Sequence, residues 1–510
     1  MSRLLAKPFV VRASARIGVC TVVLCLSTHL IASDSPAPLP DAAEQKDWSR
    51  VTALLQSKAD PNSPQPDGAT ALHWAAYHDQ ATAARKLLAA GAKPDITNRY
   101  GVTPLSLACT NGNETLVGAL LDAGADANAV LRGGETALMT AARTGRVGPV
   151  QQLLAKGAHV EAKDRKGQTA LMWAAAEGHT DVIDLLLKSG AGLHTRLKSG
   201  FTPLLFAVRE GRIEAVRTLL KAGADPKEAI VTSEKTGGRE ASAGTSALIF
   251  AVENGHFELA MLLVKAGADP DDQRSGFTAL HTLSWVRRPS RGDDEAGQPP
   301  PDTSGSLTSL DFVRQIVAAG ANVNAKLSRR TTSKGRLGMG GATPFLLAAK
   351  TADMPLMKLL VKLGADPLQP NDDGCTPLMA AAGIGTYAPD EDAGTEDECL
   401  AAVEHLLSLG ATVNTVDKLG ETAMHGAAYK SLPRMVNLLA AKGADISVWN
   451  QKNKNGWTPL LIAQGFRAGN FKPSAGTEAA ISSLMRTAGI TPPPPPDRPA
   501  VGARQEYQKR

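Results

Sequence analysis

An all-α repeat solenoid, made of stacked helix-turn-helix units joined by β-hairpin or extended loops, is the fold class the sequence predicts. Two observations lead there. The phrase Gly68-Ala-Thr-Ala-Leu-His-Trp-Ala-Ala76 returns in varied form at Gly101, Gly134, Gly167, Gly200, Gly244, Gly276, Gly341, Gly374, Gly420 and Gly456, and the first four steps are each 33 residues. Units also close on a second signature, as at Leu87-Leu88-Ala-Ala-Gly91, Leu120-Leu121-Asp-Ala-Gly124 and Leu438-Leu439-Ala-Ala-Lys-Gly443. A fixed period of this length marks an array whose neighbours share one core. With 510 residues, 43% of them hydrophobic and 21% charged, the chain is too apolar for wholesale disorder and long enough for a large core.

The unit starting at Gly134 shows why each element forms. Thr136 caps a short helix over about 137–144, whose small Ala141 and Ala142 let a neighbour approach. Gly145 supplies the left-handed residue that ends it. A second helix over about 148–156 places Val150, Leu153 and Leu154 on one face, and Gly157 stops it. The polar stretch 158–167 suits an extended turn or a short hairpin. Helices of two or three turns do not persist alone in water, so each pair must stack on its neighbours.

On these residues the chain resembles the ankyrin-repeat family, with Thr70-Ala-Leu-His-Trp-Ala-Ala76, Thr103-Pro-Leu105 and Thr458-Pro-Leu460 as the nearest matches to its signature. The resemblance covers residues 46–490 and suggests an exported, bacterial-type member. It implies a curved solenoid that binds another macromolecule, with no catalytic residue. It also implies that the first-helix position after Leu-His faces the concave side. Asp79, where the family has glycine, and Leu280-His-Thr-Leu-Ser284, which lacks the alanine pair, depart from the pattern.

The ends read differently. Arg3, Lys7, Arg12 and Arg16 precede an apolar run from Ile17 to Ile31 and the small pair Ala32-Ser33, the pattern of a secretory signal cleaved after Ser33. A run this short falls below the about 20 residues that crossing takes; a retained anchor is the alternative. Export to a periplasmic or secreted location follows. Residues 34–45 read as a Pro-rich linker, Trp48 to Asp60 as a lone second helix covering the first of eleven full units, and 491–510 as a disordered Pro-rich tail. The period is broken by insertions at 227–243, 287–306, 327–340 and 383–396, with a smaller one at 451–455. These are either neutral elaboration or partner-selecting loops.

Chemistry is sparse. Four of the formal +5 charges sit in the first 33 residues, which leaves the rest at about +1 and gives no footprint for nucleic acid. Cys109, Cys375 and Cys399 are too few for a disulfide framework; Cys109 reads as buried filler, Cys375 as an exposed turn residue and Cys399 as a helix start. His73, His281 and His425 share one repeat position and so one structural role, a hydrogen bond to neighbouring turn backbone; His179 and His256 share another, and neither set reads as metal ligands. The basic cluster Arg329, Arg330, Lys334 and Arg336, the acidic loop Asp390 to Glu398 and the glycine-rich 335–341 lack the spacing of phosphate or calcium sites. No cofactor and no catalysis are expected.

The position after Leu-His holds Trp74, Leu107, Thr140, Trp173, Phe206, Phe250, Thr282 and Leu347, a concentration of rings in a chain only 4% aromatic. With Tyr77, Arg143, Glu177, Arg209 and Glu253 farther along the same helices, it forms an apolar ladder edged by charge, suited to a protein or peptide partner. The alternative is that the rings only seal adjacent helices. Loop-tip residues Asn98, Arg99, Tyr100, Lys163, Arg165 and Lys166 are further candidates. The expected function is a monomeric, exported, non-enzymatic binding module; the alternatives are a structural envelope or surface spacer and, remotely, an enzyme whose catalytic groups lie in the insertions.

Overall fold

The structure, a computed structural model, describes residues 37–231, 243–289, 304–328, 337–389, 392–467 and 472–495. The expected signal, the tail beyond 495, the basic cluster at 329–336, Asp390, Glu391 and most of the insertions at 227–243 and 287–306 lie outside them. The contacts divide the chain into two blocks.

In the first block, six helix pairs follow one another: α1 (Pro38–Glu44) with α2 (Trp48–Gln56), α3 (Ala71–Tyr77) with α4 (Ala81–Ala89), α5 (Pro104–Asn111) with α6 (Glu114–Asp122), α7 (Ala137–Thr144) with α8 (Val147–Ala155), α9 (Ala170–Glu177) with α10 (Thr180–Lys188), and α11 (Pro203–Arg209) with α12 (Ile213–Lys221). First helices pack on first helices, α3 on α5, α5 on α7, α7 on α9 and α9 on α11, and second helices on second helices. The second block contains α13 (Ala247–Glu253), α14 (Phe257–Lys265), α15 (Ala279–Arg287), α16 (Ser309–Ala318), α17 (Pro344–Lys350), α18 (Met354–Lys362), α19 (Pro377–Ala382), α20 (Glu396–Ser408), α21 (Ala423–Tyr429), α22 (Pro433–Ala441), the short α23 (Ile446–Trp449), α24 (Pro459–Ala463) and α25 (Ala475–Thr487). Its first helices stack as α13, α15, α17, α19, α21 and α24.

Threonine starts most first helices. The Thr103 hydroxyl accepts from Ser106 N at 3.1 Å and the Thr343 hydroxyl from Leu346 N at 3.2 Å, while Pro104 and Pro344 occupy the first turn, where a missing N–H costs nothing. The left-handed corner between paired helices is glycine at Gly112 (φ 68°) and Gly145 (φ 73°), but Asp79, Ala352 and Ser431 adopt the same strained conformation at φ 59°, 52° and 60°.

Of the two loop forms expected, the described residues take the extended one: there is no strand among them, and one isolated bridge joins Val130 to Thr136. Two expectations are corrected. Part of the supposed linker 34–45 is helix α1, whose Leu39, Ala42 and Ala43 are buried. Trp48 to Asp60 is therefore the second half of a complete pair, because Pro38 sits where proline favours a helix start and α1 packs on α2 and α3. By contrast, α15 is unbroken: Thr282 Oγ1 donates to Thr278 O at 3.0 Å and Ser284 Oγ to His281 O at 2.9 Å, so the substituted polar groups are satisfied within their own helix.

Side chains stitch neighbours together at the loop bases. Asn62 Nδ2 donates to Gly91 O at 3.0 Å while its Oδ1 accepts from Lys93 N at 2.7 Å. Asn128 spans to Gly157 and His159, Asn324 to Gly364 and Asp366, and Asn414 to Gly443 and Asp445, in the same two-bond pattern. Each amide thereby satisfies a carbonyl and an N–H at the end of the next unit's second helix.

Candidate partner-binding surface

The ladder predicted at the position after Leu-His is mostly closed. Trp74, Phe206 and Phe250 are only 6%, 4% and 6% exposed, and Thr282 and Leu347 are buried too. The reason is the seam: first helices pack directly on one another, and this position points between them. In the unit that starts at Gly420 the same position is Gly426, where a Cβ would lie 2.8 Å from Ile384 N and 3.1 Å from Ala382 C. Trp74, Phe206 and Phe250 are therefore seam filler, not a free surface; Trp74 even spends its indole N–H on Gln65 Oε1, at 2.7 Å.

What stays outside is a set of rings with guanidinium groups over them. Trp173 is half-buried, Arg143 lies over its ring at 5.7 Å, and its Nε1 has no hydrogen-bond partner in the protein. One unit on from Trp173, Arg209 lies over Phe201 at 5.4 Å and over Phe206 at 5.0 Å, while ion-pairing with Glu210 at 2.7 Å. Phe201, absent from the sequence-based candidates, is half-buried and rests 5.3 Å from Phe206, its signal being the residue just before the capping Thr202. Tyr77 is 49% exposed and meets the Trp74 ring edge-on at 5.7 Å. At a loop tip, Arg99 lies 4.8 Å over the exposed Tyr100 ring. Glu177 is held 3.8 Å from Arg212. Glu253, in the second block, is half-buried, and burial pushes its carboxyl up to about 7.

The recurrent histidines are stitches, as their shared position implied. In His73, Nδ1 accepts from Thr70 N at 3.1 Å, so Nε2 carries the proton and donates to Val102 O of the next unit at 3.0 Å. His281 and His425 repeat this to Ala342 O at 3.0 Å and Gln451 O at 3.2 Å. Burial lowers all three, His281 and His425 to about 4. His179 Nε2 contacts Arg143 O at 2.9 Å and His256 Nδ1 accepts from Ser304 N at 3.2 Å.

Cys375 is not on an exposed turn. The Asn371 side chain accepts from Cys375 N at 2.8 Å and folds the thiol inward, where burial and then Asp417 and Glu421 hold it well above its ordinary range. Burial pushes Cys109 up to about 12, so neither thiol is poised as a nucleophile. Of the described acids of the 383–398 segment, Asp392 pairs with Lys350, Asp397 with Arg434 and Glu398 with Arg288, while Glu396 accepts from Arg434 N at 2.8 Å. No group of three or more His, Cys, Asp or Glu is arranged to hold a metal among the described residues.

A family model described as ankyrin repeats (three copies) matches residues 39–130, 138–230 and 393–470, and a single-repeat model matches 243–274 and 340–372. The chain is 36% identical over 176 residues to neurogenic locus notch homolog protein 1 of Xenopus tropicalis, covering 30% of this chain and 6% of that protein. It is 32% identical over 206 residues to SH3 and multiple ankyrin repeat domains protein 2 of Homo sapiens, covering 36% and 10%. An ankyrin repeat protein of Acanthamoeba polyphaga mimivirus is 33% identical over 93 residues, covering 18% and 11%. The chain thus matches between 6% and 11% of the length of these relatives. Among solved structures, the human ASB11 ankyrin repeat domain covers 46% of this chain and 99% of its own, at 24% identity and a TM-score of 0.38.

Proposed function

Because this chain belongs to the ankyrin-repeat family, whose domains mediate protein–protein interaction, we propose that it is a binding module that captures a protein or peptide partner on the first block. The observation that carries this is the half-buried Trp173 ring with the exposed Arg143 guanidinium over its face. An aromatic ring beside an exposed guanidinium is the composition that interface anchors share. Tyr77, Phe201 and Tyr100 extend the same chemistry along the block. Trp74 and Phe206 support the surface from beneath, against Tyr77 and Phe201.

The test is partner capture by the full chain against Arg143→Glu and Tyr77→Ser, both exposed changes that leave the seams intact. Loss of at least about tenfold in affinity for the captured partner is expected, the weight of one interface anchor. Capture undiminished in both variants removes the first block as the binding face.

Export is part of the same proposal. The tripartite pattern of residues 1–33 supports it, and α1 begins at Pro38, so cleavage after Ser33 would leave every described helix whole. N-terminal sequencing of the protein from the extracytoplasmic fraction should start at Asp34; an intact Met1 terminus in a cytoplasmic fraction rejects it.

A further inference from the structure

Lys430, the residue that ends α21, is only 4% exposed, a placement lysine rarely takes without an acid partner. Among the described residues it forms no ion pair with an acid, and Asp392, whose charge acts on it, lies 3.7 Å from Lys350 instead. Its Nζ donates to Ala393 O and shares a side-chain hydrogen bond with the thiol of Cys399. Cys399 is the fourth residue of α20, fully buried, and its Sγ donates to Gly394 O at 3.8 Å.

Amine and thiol are thus anchored on consecutive carbonyls of one backbone stretch, and they converge. A Cβ at Gly394 would lie 3.2 Å from Lys430 Nζ and 3.3 Å from Cys399 Sγ; glycine, favoured there by φ 92°, leaves that point free of a side chain. Ala393 and Gly394 are half-buried, so the pair sits one layer below the surface rather than deep in the stack. Burial lowers the Lys430 ammonium, which Cys399 and Asp392 oppose and Lys350 reinforces, so the free amine forms more readily than on an exposed lysine. Among the described residues neither Cys109 nor Cys375 is bonded to a lysine.

We infer that Cys399 and Lys430 form a redox modification site, closed by dioxygen into a covalent Sγ–O–Nζ bridge. The step balances. The S–H bond and one N–H bond of the free amine break, and S–O and N–O bonds form; sulfur and nitrogen each give up two electrons, and dioxygen takes all four. One oxygen atom becomes the bridge, and the other leaves as water with the two hydrogens. The bridge ties α20 to the end of α21 in the next unit, and a cross-link of this kind stabilises chiefly by restricting the unfolded chain. It acts in the second block, whichever surface of the first captures a partner.

The experiment uses the full chain, purified with dithiothreitol and then held in aerated or in oxygen-free buffer. Intact-mass spectrometry of the aerated sample is expected to show a gain of one oxygen and a loss of two hydrogens, mapped after digestion to a linked pair of peptides holding Cys399 and Lys430. Dithiothreitol should reverse it, and neither Cys399→Ser nor Lys430→Arg, which keeps the charge, should form it. The urea midpoint of the second block should rise by at least about 0.5 M on bridging and fall back on reduction. An unchanged mass after aeration overturns the inference, and so does a species that persists in Cys399→Ser. Oxygen gained without loss of hydrogen, the mark of a cysteine oxidised alone, or hydrogen lost without gain of oxygen, the mark of a disulfide, overturns it as well.

Discussion

Arg287→Ala is expected to destabilise the second block by about 3–5 kcal/mol, the cost of leaving a buried charge without its partner. Asp353 is 1% exposed, and Arg287 clamps it from the end of α15, Nε to Oδ2 at 2.6 Å and Nη2 to Oδ1 at 3.0 Å. The same carboxylate caps α18, accepting from Leu356 N at 3.2 Å, and Arg287 also donates to Ser309 Oγ in the first turn of α16. One ion pair therefore fastens three helices from two successive units. Urea titration at neutral pH checks the loss. The double variant Arg287→Ala, Asp353→Ala should recover part of it, because the desolvated charge goes with its partner. A single variant within about 1 kcal/mol of wild type would mean that solvent reaches Asp353 and the pair is a surface one.

Glu421→Gln should change how stability depends on pH by about 3 kcal/mol between pH 5 and pH 8. Burial raises the Glu421 carboxyl from 4.5 to about 7, and it accepts from Tyr429 Oη at 2.8 Å and Asn453 Nδ2 at 2.9 Å. A carboxyl raised in the fold gives its full stabilisation below its unfolded value near 4.5 and loses it as pH climbs through 7. His281 and His425 run the other way. Lowered from 6.5 to about 4 by burial, they stabilise fully above 6.5, and that contribution drains away as pH falls towards 4. The opposing slopes overlap between 4.5 and 6.5, so the difference between Glu421→Gln and wild type is the informative curve. The variant should gain on wild type as pH rises, and a flat difference would show that Glu421 is ionised and solvated in the fold.

The sequence made the period, the helix pairs and the histidine stitches legible, because each is written within one unit and repeated. Thr70 and His73 are three residues apart, and only the receiving carbonyl lies elsewhere. Features whose partners sit a unit or more away were not legible. Asn62 reaches 29 and 31 residues ahead and Arg287 reaches 66, with nothing local to announce either bond. Pro38 and Pro40 looked like linker because proline usually breaks helices, whereas within the first turn it breaks nothing. The ladder failed for a different reason. Its position has the pattern of a face, but the choice between seam and surface is set by how closely first helices approach, and that distance is not encoded in any single unit.

The side-chain amides of Asn62, Asn128, Asn324 and Asn414 each bond to the adjoining unit. In the first block, copy number is thereby decoupled from foldability: duplicating or deleting one whole period asks for a single seam to be remade, whereas in the second block the Arg288–Glu398 pair, which skips a unit, ties units that do not adjoin. Such a chain can grow or shorten in evolution by recombination in register, and its reach towards a partner can be adjusted in steps of one period.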